Sequence, residues 1–248
     1  GVLFAFERHW ERMHRDAVLM RIPFPFAPDD MERRLLRLVE ANHAANATLR
    51  VAVVRNRGGL WEGPGISRDC DLIAFTTDVK SWGAGVRLGM VANARHAGSV
   101  FAGTKILSWS HNLVWLEEAQ NRGLDEVILL NEHGRVSECT SANIFVSSGS
   151  SIWTPPLSSG CLPGVTRRIL LEDIHVDGVT VGEKDLVPAD LESADEVFIT
   201  STTRGLLPVI SVEGLEVNHR SETRAPVQAA FQRCVDQYVA GKRASVAS

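Results

Sequence analysis

Glu138-Cys139-Thr140-Ser141-Ala142-Asn143-Ile144-Phe145 sets an acidic side chain just ahead of an apolar run that continues to Val146. A short apolar run bounded by turn formers reads as a buried strand, and Ser147-Ser148-Gly149-Ser150 closes this one. Three other segments draw attention beside it. Ala102-Gly103-Thr104-Lys105 puts a lysine at the start of an apolar stretch. Leu162-Pro163-Gly164-Val165-Thr166 is a Gly-Thr turn opening a helix. Thr200-Ser201-Thr202-Thr203 is a hydroxyl cluster ending an apolar strand. Taken singly, each has an ordinary reading: a solvated lysine, a surface glutamate, a helix start, a Ser/Thr turn.

Around these segments the pattern predicts an alternation of helices and strands. Phe6, Trp10, Met13, Ala17 and Met20 recur at a helical spacing, and Pro23, Pro25 and Pro28 end that helix. Asp29 is expected to cap a second helix running to about Asn46. Strands are expected at Leu49–Val54, Leu72–Thr76 and Val86–Val91, with Arg57-Gly58-Gly59 among the turns. Two helices before an antiparallel meander make an α+β domain over 1–93. The small-residue stretch Val91–Gly103 reads as a linker, set at 94–103. A domain over 104–248 follows. It has a helix at Lys105–Gln120 and strands at Glu126–Leu130, Asn143–Val146 and Ser151–Thr154. A helix then starts after Gly164, and strands at Glu196–Thr200 and Pro208–Val212 precede a closing helix at Arg224–Ala240.

Composition narrows the function classes. The chain has 248 residues, 44% of them hydrophobic and 23% charged, which excludes a disordered chain and permits a large core. Lys+Arg is 26 against Asp+Glu 30, a net charge of -4, so neither nucleic acid nor a membrane surface is expected as a partner. No apolar run approaches the ~20 residues of a membrane span. Cys70, Cys139, Cys161 and Cys234 lack C-x-x-C spacing, so neither a metal site nor a disulfide framework is expected. Reduced thiols and no visible signal peptide lead to the expectation of a cytoplasmic protein.

Read in order, the four segments resemble the fold type IV, or class IV, pyridoxal-phosphate enzymes. These are the branched-chain aminotransferases, D-amino acid aminotransferases and 4-amino-4-deoxychorismate lyases. The family pattern places a Schiff-base lysine before an E-x-x-x-x-N-[IL]-F motif, matched by Lys105 and by Glu138, Asn143, Ile144 and Phe145. L-P-G-[IV]-T-R is present as Leu162 to Arg167, V-x-E as Val181 to Glu183, and A-D-E-V-F-x-T-x-T as Ala194 to Thr202. H-x-x-R-[LM] is present as His9 to Met13. The resemblance covers almost the whole chain.

The resemblance implies a small α+β domain and a larger barrel-like α/β domain of the D-amino acid aminotransferase type, assembled as a homodimer. It implies pyridoxal 5'-phosphate as cofactor, with amino acids and 2-oxo acids as substrates. The cofactor is an electron sink that the protein must bind, orient and protonate. Lys105 is the expected imine-forming and proton-carrying amine, and Glu138 the carboxylate that keeps the pyridine nitrogen protonated. For the phosphate the resemblance implies Arg12 as the cation, Val165 and Thr166 as helix-start amides, and Ser201 and Thr202 as hydroxyl donors. His9, one turn before Arg12 on the same helix face, is expected to support it structurally. Candidates for the substrate carboxylate are Arg95, His96 and Arg204.

Two departures accompany the resemblance. The opening strands and the Y-G-x-G-[VLI]-F-E run are matched only by the G-x-x-F of Gly1 to Phe4, so the small domain is expected to lack its first strands. Ser110 stands where many branched-chain enzymes have a tyrosine, and Ala102 to Trp109 resembles the form common in the lyase and D-amino acid branches. The expected function is therefore transamination. The alternatives are an aminodeoxychorismate lyase releasing pyruvate and 4-aminobenzoate, and a cofactor-binding homologue without catalysis.

Overall fold

A computed structural model describes residues 1–57, 67–220 and 222–247, the side chains of 246 and 247 excepted. Gly58 and Gly59 of the expected turn lie outside the described residues. The chain divides into two compact units, Gly1–Lys80 with Gln237–Ser248, and Ser81–Asp236. The first boundary precedes the 94–103 stretch, because the strand leading into that stretch is hydrogen-bonded into the second unit's sheet.

In the first unit α1 spans Phe6–Leu19 and α2 spans Pro28–Ala41. Pro28 occupies the first turn of α2, where its missing N–H costs nothing, so the helix begins ahead of Asp29 and has no side-chain cap. It also stops at Ala41, short of Asn46. Strands β1 (Ala47–Arg55) and β2 (Cys70–Asp78) pair antiparallel, Val51 facing Ala74. The inward side chains Leu49, Val51, Leu72 and Ala74 meet Phe6, Met31 and Leu35 in one core. The buried Phe6, Met31 and Leu35 contribute about 1.5–3 kcal/mol each.

The C-terminal helix α6 (Arg224–Ala247) reaches this unit with its last turns. The Tyr238 hydroxyl accepts the Phe6 N–H at 3.3 Å and donates to Glu7 Oε2 at 2.7 Å. Lys242 Nζ lies 2.5 Å from Glu7 Oε1. Burial, then Glu7, pushes the Tyr238 phenol up to about 12. A raised folded pKa means that the native state keeps a proton the unfolded chain loses near its ordinary value of about 10. Unfolding free energy should therefore fall between about pH 10 and pH 12. Tyr238→Phe should cost about 1 kcal/mol at neutral pH. It should also lessen that alkaline fall, leaving the parts due to Lys242, whose pKa Glu7 raises, and to the Cys70, Cys139 and Cys161 thiols, whose pKa values burial raises. Denaturant melts at pH 7 and across this range check both; an unaltered alkaline slope would remove Tyr238 as its source.

The second unit is built on one mixed sheet of eight strands. They are β3 (Val86–Arg95), β4 (Glu126–Asn131), β5 (Val136–Cys139), β6 (Asn143–Ser148), β7 (Ser151–Thr154), β8 (Thr180–Glu183), β9 (Glu196–Ser201) and β10 (Gly205–Val212). Their spatial order is β5-β4-β3-β10-β9-β6-β7-β8. Helices α3 (Ser110–Asn121), α4 (Val165–Glu172) and α5 (Pro188–Ser193) belong to this unit. β3 is parallel to both β10 and β4, so the expected three-stranded meander is a two-stranded hairpin plus a strand of the larger sheet. Val86 and Leu88 explain the exchange: both are buried in a core with Val209 and Val212, a setting typical of parallel strands. Phe145 and Phe198 pair across β6 and β9 with rings stacked at 5.2 Å. Among the described residues no helix is long and apolar enough to cross a membrane.

Candidate active site

Lys105 is not helical. Helix α3 begins five residues later at Ser110, and Lys105 is exposed in the irregular segment before it. Gly103 explains the break. Its φ of +69° is left-handed, and a Cβ there would sit 3.0 Å from the Cys161 carbonyl oxygen. The lysine segment is thus laid against the Cys161–Pro163 segment.

Glu138 lies on β5, a strand not expected from the sequence, where Glu138 reads as leading into the Asn143 strand, and is 7% exposed. Leu162 N–H donates to its Oε2 at 3.0 Å, from the same segment that Gly103 touches. Arg95 Nε donates to Oε1 at 3.0 Å, and Arg95 Nη2 lies 2.8 Å from the same oxygen. Burial raises the Glu138 carboxyl above its ordinary value; Arg95, the Leu162 amide and Lys105 oppose that shift. Lys105 is therefore close enough to act on Glu138 electrostatically. Arg95 Nη1 donates to Asn112 Oδ1 at 3.1 Å, which anchors it to the first turn of α3. Arg95, a candidate for the substrate carboxylate, is thus paired with Glu138.

Asn143 holds the next part in place. Its Nδ2 donates to the Leu162 carbonyl at 2.8 Å, and a Cβ on Gly164 would lie 2.0 Å from its Oδ1. Any side chain there would displace the Asn143 amide, and with glycine in that place helix α4 starts without a side-chain cap. The first N–H groups of a helix have no intrahelical acceptor, which leaves the Val165 and Thr166 amides available to an anion. Thr166 Oγ1 is buried and has no hydrogen-bond partner among the described residues. Arg167, the next residue, is buried and bonds the Pro155 carbonyl at 2.8 Å and the Glu183 carboxylate. That pair accounts for the LPGVTR and VGE segments together.

Asn143 also pairs in register with Thr200 across β6 and β9. The pairing brings the end of β9, with Ser201 and the exposed Thr202, beside the start of β6. Thr200 Oγ1, like Thr166 Oγ1, is buried without a partner among the described residues. Arg204 follows in the same turn, its N–H bonded to the Ser201 carbonyl at 3.1 Å. Its side chain is 4% exposed and ion-paired with Glu126, so this second substrate candidate is turned into the protein. His96 is exposed, with Nδ1 2.8 Å from Glu132 Oε1. The Ala97 N–H, supported by Gly98 and His96, holds the Glu132 carboxyl down at about 2. Arg12 lies on α1 of the first unit, half-buried; burial lowers its guanidinium while Asp16 opposes the shift.

The second unit therefore gathers Lys105, Glu138, Val165, Thr166, Ser201 and Thr202 around one set of linked turns. Asn112, Asn143, Glu126 and Ser141 carry this arrangement but were assigned no role from sequence. Asn143 alone had a signal there, as a fixed position of the motif.

Residues 1–212 match the sequence family described as amino-transferase class IV. A D-alanine aminotransferase of Bacillus licheniformis is 29% identical over 215 residues, covering 86% of this chain and 76% of that protein. The solved branched-chain amino acid aminotransferase of Escherichia coli superposes with a TM-score of 0.83 at 25% identity, over 94% of this chain and 80% of the other. A Legionella pneumophila structure described as a candidate 4-amino-4-deoxychorismate lyase shares the fold, with a TM-score of 0.82 at 24% identity over 93% and 85% of the two chains.

Proposed function

The chain belongs to the class IV amino-transferase family, and on that premise we propose that it moves an amino group between an amino acid and a 2-oxo acid with pyridoxal 5'-phosphate held on Lys105. The observation that carries this reading is the buried Glu138 carboxylate, fixed by Arg95 and the Leu162 amide within electrostatic reach of Lys105. When bound, the cofactor supplies an electron sink for the pair left at the substrate Cα.

Every other role falls to this chain's own side chains. Lys105 Nζ would take the proton from the substrate Cα and deliver it to the cofactor C4′, and carry it the opposite way in the second half of the exchange. Glu138 holds a proton at the ring nitrogen, because an ionised carboxylate favours the protonated neighbour. Arg95 keeps that carboxylate ionised against the cost of burial and fixes its direction. Val165 and Thr166 amides, Thr166 Oγ1, and the Ser201 and Thr202 hydroxyls receive the phosphate, with Arg12 as its cation. The fit of an anion there is supported by the uncapped start of α4 and by two buried threonine hydroxyls without partners among the described residues. A homodimer acting in the cytoplasm completes the reading; light scattering and cell fractionation test those two points.

Purified protein supplied with pyridoxal phosphate, an amino-acid donor panel and 2-oxoglutarate should form glutamate. Release of pyruvate and 4-aminobenzoate from aminodeoxychorismate, with no oxo acid required, would replace transamination by the lyase reading. For the phosphate cation, Arg12→Ala should weaken cofactor affinity by about one to two decades. A charge-assisted contact is worth roughly 1.5–3 kcal/mol, and ~1.4 kcal/mol is tenfold. Equilibrium dialysis measures this, and unchanged affinity removes Arg12 from the role.

A further inference from the structure

Arg204 and Glu126 form an ion pair that is almost wholly removed from solvent, with side chains 4% and 1% exposed. Arg204 Nη2 bonds Glu126 Oε1 and also Ser141 Oγ at 2.9 Å, while Nη1 donates to the Ser141 carbonyl at 3.3 Å. The other Glu126 oxygen accepts Ser141 N–H and Thr140 Oγ1, both at 2.9 Å. Ser141 Oγ closes the network onto Glu126 Oε1 at 2.5 Å. The guanidinium lies 3.8 Å from the centre of the Trp82 ring, a stacked geometry that favours arginine over lysine.

A buried ion pair gives little net stability, because desolvation offsets the attraction; apolar replacements of similar size are often neutral or better. What this pair does have is a distinctive placement. Arg204 ends the turn that carries Ser201 and Thr202. Thr140 and Ser141 form the turn between Glu138 on β5 and Asn143 on β6. The pair therefore ties the hydroxyl turn directly to the turn that follows the buried carboxylate.

We propose that Arg204 is a positioning residue which, through Glu126 and Ser141, holds the Ser201–Thr203 turn at the distance from Glu138 that a phosphorylated pyridine spans. This rests on the function proposed above. It assigns Arg204 to the phosphate end of the cofactor, which it serves through the backbone without touching it.

The test compares the affinities of pyridoxal phosphate and of pyridoxal, which lacks the phosphate, in wild type, Arg204→Lys and the paired apolar variant Arg204→Met/Glu126→Leu. A wild-type protein should prefer the phosphate ester. Both variants should lose about tenfold of that preference, consistent with one charge-assisted contact misplaced. Pyridoxal affinity should stay within about twofold, and melting temperature should not track the loss. Arg204→Lys keeps the charge and covers the case in which the paired variant fails to fold. Equal losses for both ligands in step with melting temperature mean that Arg204 is only structural, and an unchanged preference also overturns the role. If wild-type protein shows no preference for the phosphate ester, the cofactor reading fails and this role with it. A selective wild type beside equally selective variants overturns the Arg204 role alone.

Discussion

Lys105→Ala should abolish amino-group transfer, lowering kcat by at least about 10⁴-fold, because one amine both carries the cofactor and moves the Cα proton. The chain offers only four lysines, at positions 80, 105, 184 and 242, so the attachment is open to direct assignment. Lys184 Nζ lies 3.1 Å from Asp190, and Glu7 raises the pKa of Lys242, which keeps that amine protonated and non-nucleophilic. Lys105 stands apart in that its charge acts on the buried Glu138 carboxylate, from a segment that left-handed Gly103 lays against Cys161. Wild-type protein with cofactor should absorb in the visible, and borohydride should fix the pyridoxyl group at Lys105. Peptide mapping that found the label on another lysine would overturn the assignment, whatever the activity of the alanine variant.

Glu138→Gln should lower kcat by at least about a hundredfold, or ~2.7 kcal/mol of barrier, while cofactor binding survives. Glutamine preserves volume but removes the charge that favours a protonated ring nitrogen. It also leaves the Arg95 guanidinium, 23% exposed, without its ionic partner, so some loss of thermal stability accompanies the kinetic effect. The two are separable. Arg95→Met should also lower stability, yet it leaves the carboxylate in place and drives its pKa further up, because burial is then unopposed by that cation. The chemical step of Arg95→Met should therefore recover as pH rises, and that of Glu138→Gln should not. Single-turnover rates across pH decide. Near-wild-type chemistry at full cofactor occupancy in Glu138→Gln would show that another group holds the ring nitrogen.

Local signals carried much of the architecture. The apolar stripe at Phe6, Trp10 and Met13 located α1, and the runs from Asn143 and Glu196 located β6 and β9. The errors arise where partners are distant in sequence. Nothing in Val86–Val91 distinguishes a meander strand from one that runs parallel to β10, more than a hundred residues later. β5 has no local signature, because its four residues are all buried, with Ser137 and Glu138 at its centre in place of an alternating pattern. Ile106 and Leu107 extended the helical pattern of α3 backwards, whereas Gly103 and the lysine segment are irregular. The candidate site followed the same rule. Its motif residues were legible as an ordered set. The Arg95–Glu138 and Arg204–Glu126 pairs bridge 43 and 78 positions, and no local pattern records them.

Helix α6 gives the chain an order of assembly. Gly1–Lys80 leaves the ribosome before Ser81–Asp236, but Tyr238 and Lys242, which secure the start of α1, are made only after all of Ser81–Asp236. At roughly 5–20 residues per second, that interval is on the order of ten seconds. Throughout it the nascent unit holds its own hydrophobic residues without the segment that closes it. The unit that precedes Ser81–Asp236 is therefore completed only after it, and its exposure to chaperones and proteases is set by the length of the domain translated in between.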